Sequence, residues 1–153
     1  MTDFTGKTAA VTGSSGIGLG AALHLARSGA RVFLAGIDAG LNNEAAALAA
    51  GEGLDMTLHQ VDVADEDSVR SWAGQIAGET DVLHALVNAA GQQTYGTVED
   101  TGPADWDHSI AVNLRSCYLT SHVLYPLLKV AGGASIVHVA VSYTHLTLPT
   151  IAK

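Results

Sequence analysis

The chain is poor in cysteine, in aromatic residues and in positive charge. Cys117 is the sole cysteine among 153 residues, so neither an intrachain disulfide nor a cysteine-rich metal site can form, and we expect a reducing, cytoplasmic setting. Fifteen acidic residues against seven basic ones give a formal net charge of -8, which disfavours nucleic acid and anionic lipid as partners. The sequence also lacks an apolar run of the roughly 20 residues that span a membrane, so we expect no membrane association.

The seven histidines are scattered, and none stands in a His-x-His or His-x-x-x-His pair. Metal ligands that one element supplies come at such short spacings, so the sequence predicts no metal site. Alanine and glycine are abundant instead, and hydrophobic residues make up 48% of the chain. This length and composition predict one folded domain with a substantial core.

Short apolar runs alternate with amphipathic stretches along the chain. Their order predicts a doubly wound α/β domain with a parallel sheet and right-handed crossovers. We expect the last helix to be long and to be kinked or ended early by Pro126. The predicted strands cover residues 8–11, 31–35, 56–63, 82–87 and 135–139, and the predicted helices cover 17–27, 41–50, about 65–76 and 103–129.

The segment from Thr12 to Gly18 is the most informative part of the sequence, because it joins the first predicted strand to the first predicted helix. Its glycines allow the backbone to turn tightly and to approach a phosphate. The first helical N–H groups and the helix dipole then favour an anion. The turn therefore predicts a nucleotide phosphate site, with an ordinary glycine-rich turn as the alternative. The predicted binding residues are Gly13, Ser14, Ser15, Gly16, Ile17 and Gly18.

Four motifs together resemble the short-chain dehydrogenase/reductase family, over about residues 5–139. They are the glycine turn, Val61-Asp62-Val63, the run Leu86-Val87-Asn88-Ala89-Ala90-Gly91, and Trp106-Asp107 followed by Val112-Asn113-Leu114. The resemblance implies a Rossmann-type fold of which five strands are present and the C-terminal strands are missing. It also implies hydride transfer between NAD or NADP and a small alcohol or carbonyl substrate, in a parent protein that is a homodimer or homotetramer through the long helix.

The same resemblance implies roles for individual residues. Asp62 would accept a hydrogen bond from the adenine amino group, and the N–H of Val63 would contact the adenine ring. Asn88 would lie at a strand end near the ribose, and the small residues Ala89-Ala90-Gly91 would leave room for the cofactor. Asn113 is the one member of the family's Asn-Ser-Tyr-Lys tetrad found here, and it would hold a water that relays protons to the lysine. A purely structural hydrogen-bonding role for Asn113 is the alternative.

Two departures from the family pattern concern the cofactor. The glycine turn has two residues between its first two glycines where the family has three, which predicts weaker contacts to the phosphates. The second predicted strand ends in Gly36 and Ile37, where the family has an acid for the NAD ribose or an arginine for the NADP phosphate. Asp38 lies 20 residues after Gly18 and favours NAD slightly.

The largest departure lies after residue 140. The resemblance places a catalytic serine near Val141 and a Tyr-x-x-x-Lys motif about a dozen residues later. Tyr143 comes too early and is followed four residues on by Thr147, and the residue four places before Lys153 is proline. Without this tyrosine, lysine and serine, the proton transfer that accompanies hydride transfer has no donor.

The string at 141–150 resembles the translation of a sequencing-library adapter. We therefore expect a truncated dinucleotide-binding domain over residues 1–140 and a non-native or divergent tail over 141–153. The fragment is expected to be inactive, and its fifth strand is expected to form an exposed edge. A non-catalytic dinucleotide-binding module stays open as an alternative. A flavodoxin-like binding protein is disfavoured because it would lack the Asn88 run and Asn113 at these places.

Overall fold

A computed structural model describes residues 3–93 and 95–140 of the chain. Five strands form one parallel sheet in the order β3-β2-β1-β4-β5, and this confirms the predicted doubly wound α/β fold. The strands are β1 (Thr8–Thr12), β2 (Arg31–Gly36), β3 (Met56–Gln60), β4 (Ala85–Asn88) and β5 (Ser135–His138). The helices are α1 (Gly16–Arg27), α2 (Ala39–Gly51), α3 (Glu66–Ala77), α4 (Pro103–Ile110) and α5 (Ser116–Val130), and a π-helical turn (Ala111–Arg115) joins the last two.

The sheet is buried on both faces by two separate apolar clusters. Ala10 of β1 and Phe33 of β2 face a cluster to which Trp72 of α3 and Leu124 of α5 belong. Ala9 and Val11 face the other cluster, to which Ala22 of α1 belongs. Successive strand residues point to opposite faces, so a strand covered on both sides needs a continuous apolar run rather than an alternating one.

Local sequence signals define helix α3. The Asp65 carboxylate caps its first turn by accepting a hydrogen bond from the N–H of Asp67 at 3.0 Å, the capping role that the three acids in this turn predict. Val69, Trp72 and Ile76 lie about one turn apart and are all fully buried. The predicted helical period is therefore correct for this segment.

The long predicted helix differs from the observed one in two respects. The π-helical turn interrupts it after Ile110, and α5 continues through Pro126 to Val130. Of the two effects predicted for Pro126, a kink or an early end of the helix, the early end is wrong. Leu124 is fully buried and Leu128 is 4% exposed, so core packing on both sides of the proline offsets the loss of one helical hydrogen bond.

Strand β5 pairs with β4 alone and is the outer strand of the described sheet. Its side chains Ile136 and Val137 are 42% and 51% exposed, as the sequence predicts. An open edge with exposed apolar residues favours pairing with another chain. Among the helices of the described ranges, none has the length and apolar character that crossing a membrane requires.

His84, just ahead of β4, makes the stability of the fold dependent on pH. Its Nδ1 accepts a hydrogen bond from the backbone N–H of Thr8 at 3.1 Å. Burial, with a smaller contribution from the charge of Lys7, holds the pKa of His84 below its usual value of 6.5. Because the pKa of His84 is lowered in the folded state, protonation of His84 favours the unfolded chain. The contribution of the neutral His84 to the free energy of unfolding is therefore present above about pH 6.5 and is lost as the pH falls.

We expect the melting temperature to fall more steeply between about pH 8 and pH 5.5 in the wild-type chain than in H84N, whose amide oxygen can replace Nδ1 as acceptor. Thermal unfolding followed by circular dichroism at both pH values measures this difference. Equal pH dependence of the two proteins would contradict the assignment to His84.

Candidate functional site

A cleft of about 370 Å³ opens at the carboxyl ends of the central strands, a volume in the range of small-molecule sites. It lies beside β1, from which the chain leads to β2 on one side and, after β3, to β4 on the other. In open α/β sheets this switch point is where ligands bind. Four segments line it, each following a different strand: Gly13, Ser14 and Ser15 after β1, Ile37 and Asp38 after β2, Asp62 and Val63 after β3, and Ala89, Ala90 and Gly91 after β4.

The glycine turn after β1 has several free backbone donors, of which those of Ser14 and Ser15 belong to residues that line the cleft, whereas Gly16 and Ile17 do not line it. Gly13 (φ +97°) and Gly16 (φ +53°) adopt left-handed backbone that favours glycine. The N–H of Gly13 is used by the carbonyl of Ala35 at 2.8 Å, which ties the turn to β2. The N–H groups of Ser14, Ser15, Gly16 and Ile17 have no acceptor in the described part of the chain. The turn thus has the donors that an anion requires, although it is one residue shorter than the family pattern.

Gly18 does not line the cleft but allows the turn to close. A Cβ at this position would lie 2.1 Å from the carbonyl oxygen of Gly13 and 2.8 Å from that of Thr12. Both of these neighbours are backbone atoms, which cannot move aside as the end of a flexible side chain could. The third glycine of the turn is therefore required for the close approach of α1 to β1.

Thr12, the last residue of β1, joins two of the lining segments. Its Oγ1 accepts hydrogen bonds from the backbone N–H groups of Ala89 and Ala90, both at 3.1 Å. A Cβ on Gly13 would lie only 3.0 Å from the carbonyl oxygen of Ala89. The glycine turn and the segment after β4 are thus held against one another, and the sequence analysis assigned Thr12 no such role.

Asp62 lies beyond β3 with its position fixed by local hydrogen bonds. Its N–H donates to Oγ of Ser68 at 3.0 Å, and its Oδ1 accepts from the N–H of Ala64 at 2.9 Å. Asp62 and Val63 line the cleft, where the sequence analysis expected them. Contacts of these two residues with adenine stay a prediction.

Asp38 and Asn88 have structural contacts besides their predicted roles. The Asp38 carboxylate caps α2 by accepting from the N–H of Leu41 at 2.9 Å, and Asp38 also lines the cleft. Asn88 is 3% exposed, and its side chain is turned toward α5, where its Oδ1 accepts from Oγ1 of Thr120 at 2.7 Å. Its Nδ2 lies 3.1 Å from Nδ1 of His138. Asn88 therefore does not line the cleft, although the ribose was its predicted neighbour.

Asn113 lies in the π-helical turn and is bound to the segment after β4. Its Oδ1 accepts from the N–H of Gln92 at 2.9 Å, and its Nδ2 donates to the carbonyl oxygens of Gln92 and Ser109 at 2.8 and 3.0 Å. These bonds correspond to the structural role that the sequence analysis kept as an alternative. The proton-relay water stays a prediction, and π-helical turns of this kind are frequent at functional sites.

Sequence reasoning missed several lining residues, which have no motif of their own. Gln92 and His108 line the cleft and contact each other, with 2.8 Å between Oε1 and Nε2. Gln92 directly follows the run that ends at Gly91, and His108 lies shortly before Asn113 in the sequence. Only this closeness to two motifs could have indicated them. Among the described residues that line this cleft there is no lysine or arginine. In the ranges 3–93 and 95–140, no three His, Cys, Asp or Glu side chains are arranged to hold a metal ion.

The sequence also contains a tyrosine four residues before a lysine at Tyr125 and Lys129, a spacing that the sequence analysis did not consider. Both lie in the second half of α5, near Leu127, whose carbonyl accepts from the N–H of Leu83 ahead of β4. This places the pair at the amino end of the sheet, opposite the cleft. Residues 141–153, which include the position near 141 where the family's serine is expected, lie outside the described residues.

Comparison with known proteins agrees with this geometry. A family model described as enoyl-(acyl carrier protein) reductase matches residues 11–152. The chain is 37% identical over 139 residues to D-beta-hydroxybutyrate dehydrogenase of Cupriavidus necator. This alignment covers 88% of this chain and 53% of the relative. The chain is 40% identical over 140 residues to D-threitol dehydrogenase of Mycolicibacterium smegmatis, with 88% and 52% covered.

The fold is also similar to that of a solved oxidoreductase structure. A metagenomic short-chain oxidoreductase, crystallised in complex with NADP, superposes with a TM-score of 0.86 at 29% identity, covering 92% of this chain and 65% of that one. The chain therefore belongs to the short-chain dehydrogenase/reductase family. It spans about half the length of the curated relatives it matches.

Proposed function

We propose that this chain is the cofactor-binding part of an oxidoreductase that transfers hydride between NAD(P) and an alcohol or carbonyl group of a small molecule. The observation that carries the proposal is a set of four N–H groups, from Ser14 to Ile17, that have no acceptor among the described residues and belong to a turn that lines a cleft at the switch point of the sheet. A dinucleotide has the negatively charged pyrophosphate that such a row of donors binds.

The relatives support both the cofactor and the kind of substrate. One solved relative holds NADP, and the curated relatives are named for the oxidation of β-hydroxybutyrate and of threitol. Hydride transfer is the chemistry that a bound nicotinamide supplies. The protein's own contribution would be to hold the pyrophosphate and adenosine, and to keep the central segment after β4 small enough for close approach.

Individual residues take the following roles in this proposal. The N–H groups of Ser14–Ile17 bind the pyrophosphate, and Gly13 and Gly18 shape their turn. Asp62 and Val63 contact the adenine. The run Ala89-Ala90-Gly91 leaves space beside the turn. Asn113 positions that run through Gln92 and contributes to proton relay in the whole protein.

NAD is the proposed cofactor in preference to NADP. Asp38 and Asp62 are carboxylates that line the cleft, and the lining residues that the structure describes include no lysine or arginine. A 2'-phosphate carries almost two negative charges and would be repelled by carboxylates without a cation to offset them.

We also propose that the polypeptide of these 153 residues binds cofactor without turnover. A tyrosine donates its proton at neutral pH only if a neighbouring cation lowers its pKa from about 10. Tyr125 and Lys129 have the required spacing but lie at the wrong end of the sheet. Residues 1–140 would form the dinucleotide-binding domain, and 141–153 a non-native or divergent tail, which resequencing of the gene beyond codon 139 would test.

The whole protein is proposed to be a cytoplasmic homodimer or homotetramer. Large apolar side chains along α4, the π-helical turn and α5 are exposed, and they support an interface there. These include Trp106 at 62%, Leu114 at 64% and Tyr118 at 63%. The low cysteine content supports the location.

Calorimetric titration of the 153-residue chain with NAD⁺ and NADP⁺, combined with an assay for NADH formation from small secondary alcohols, tests the proposal. We expect saturable NAD⁺ binding with no enzyme-dependent NADH. A lack of binding to either dinucleotide would refute the proposed function, whereas turnover with contaminants excluded would refute only the inactivity of this chain.

A further inference from the structure

Three residues from separate elements lie close together at the base of the cleft. Ser14 belongs to the glycine turn, Gly36 ends β2, and Asn42 lies in the first turns of α2. The position that a Cβ of Gly36 would occupy is 2.0 Å from Oγ of Ser14 and 2.3 Å from Oδ1 of Asn42. The two oxygens therefore lie close to one point, although no hydrogen bond joins them in this structure, and we refer to them as the Ser14–Asn42 pair.

The Asn42 side chain is buried with one hydrogen-bonding group unused. It is 6% exposed, and its Nδ2 donates to the carbonyl of Gly36 at 2.9 Å. This bond fixes the amide orientation, because the reverse orientation would place two carbonyl oxygens against each other. Oδ1 of Asn42 has no hydrogen-bond partner among the described residues. A buried acceptor without a donor is unusual and calls for an explanation.

The Ser14 hydroxyl is the group that can link this acceptor to the cleft. Ser14 is 5% exposed and lines the cleft, whereas Asn42 lies behind it. A hydroxyl donates one hydrogen bond and also accepts. If Ser14 donates to Oδ1 of Asn42, its own oxygen is left as an acceptor that faces the ligand.

The same crowding excludes an acidic side chain at the end of β2. Any Cβ at Gly36 would collide with Oγ and Cβ of Ser14, the latter at 2.6 Å. The carboxylate that dinucleotide-binding folds commonly place there for the ribose has no room in this chain. Another acceptor is needed if the ribose hydroxyl is to be recognised.

We propose that the Ser14–Asn42 pair is this acceptor and that it selects a 2'-hydroxyl over a 2'-phosphate on the adenosine ribose. The proposal rests on the proposed function. The ribose hydroxyl donates to Oγ of Ser14, and Ser14 donates to Oδ1 of Asn42, so that every polar group has a partner. A phosphate has only acceptors to offer, so it competes for the single proton of Ser14 and leaves the Asn42 oxygen unpaired.

Binding measurements on the wild-type chain test whether the Ser14–Asn42 pair recognises the 2'-hydroxyl. Calorimetric titrations with NAD⁺, with NADP⁺ and with the NAD⁺ analogue that contains 2'-deoxyadenosine compare the three possible groups at this position. We expect the deoxy analogue to bind about tenfold more weakly than NAD⁺, and NADP⁺ more weakly still. Equal affinity of NAD⁺ and its deoxy analogue would overturn the proposal while leaving the proposed function intact.

Single-residue variants then test whether the preference for the 2'-hydroxyl depends on Ser14 and Asn42. S14A and N42L are expected to bind NAD⁺ and the deoxy analogue equally and to lose the preference for NAD⁺ over NADP⁺. N43L is the matched control, since Asn43 is the next residue of α2 and its side chain is exposed, and it should keep both preferences. Unchanged preferences in S14A and N42L would overturn the proposal, and if N42L does not fold, the analogue series on the wild-type chain decides. A wild-type chain that binds none of the three ligands would refute the proposed function and the Ser14–Asn42 pair together.

Discussion

Replacing Gly18 by alanine is expected to abolish measurable dinucleotide binding and to lower the free energy of unfolding by about 3 kcal/mol or more. The added Cβ would lie 2.1 Å from the carbonyl oxygen of Gly13. Because this neighbour is backbone, α1 must move away from β1 to accommodate the methyl group. That movement would displace the N–H groups of Ser14–Ile17 from a shared anion, for which shifts of a few tenths of an ångström matter.

Gly20 provides a matched control in the same helix. A Cβ there would meet no described atom within 4 Å, and alanine is the better helix former by about 0.5–1 kcal/mol. G20A should therefore bind NAD⁺ like the wild-type chain and should be slightly more stable. Urea denaturation and calorimetric titration of both variants measure the contrast. Similar behaviour of G18A and G20A would show that close packing of the turn is unimportant.

Replacing Thr12 by valine is expected to cost about 2–4 kcal/mol, because the methyl group cannot accept the hydrogen bonds that Oγ1 receives from Ala89 and Ala90. Valine has the same shape as threonine, and Thr12 is 2% exposed, so no cavity contributes. We further expect weaker NAD⁺ binding, since Thr12 joins the glycine turn to the segment after β4.

The control for this prediction is T57V in β3. Thr57 is a strand threonine whose hydroxyl forms no hydrogen bond with the described residues, and it is partly exposed. Its replacement should change the free energy of unfolding by less than about 0.5 kcal/mol. Chemical denaturation of T12V and T57V distinguishes the effect of the two hydrogen bonds from the effect of removing any strand hydroxyl. Equal losses in the two variants would count against the role assigned to Thr12.

The elements that the sequence predicts well are those with local causes. The period of Val69, Trp72 and Ile76 and the cap at Asp65 lie within one helix, so they can be recognised without knowledge of the fold. The glycine turn is equally local. Its position between an apolar run and a helical pattern predicts a phosphate site, and the structure has a cleft beside this turn.

Strand ends were predicted less well, because a buried apolar residue need not be paired with a neighbouring strand. Val61 and Val63 are apolar and were included in the third strand, yet β3 ends at Gln60. Both valines are nevertheless buried, at 3% and 8% exposure, in the cluster below the cleft. An apolar residue that leaves the sheet to close the core has the same sequence pattern as one that stays in it.

Contacts between distant elements could not be predicted at all. The direction of the Asn88 side chain depends on Thr120, 32 residues later, and the π-helical turn depends on how α4 and α5 meet the segment after β4. The Ser14–Asn42 pair likewise depends on the packing of α2 against the glycine turn. A single sequence contains no signal for such pairings, because each residue alone has an ordinary local role.

The most direct test of a dinucleotide cleft at this switch point is a titration of the isotopically labelled chain with NAD⁺, followed by amide chemical shifts. We predict that the amides of Ser14, Ser15, Gly16, Ile17 and Val63 shift progressively and saturate together, while amides at the C-terminal end of α3 and in β5 do not. An unchanged spectrum at millimolar NAD⁺, or shifts centred away from the glycine turn, would contradict the account.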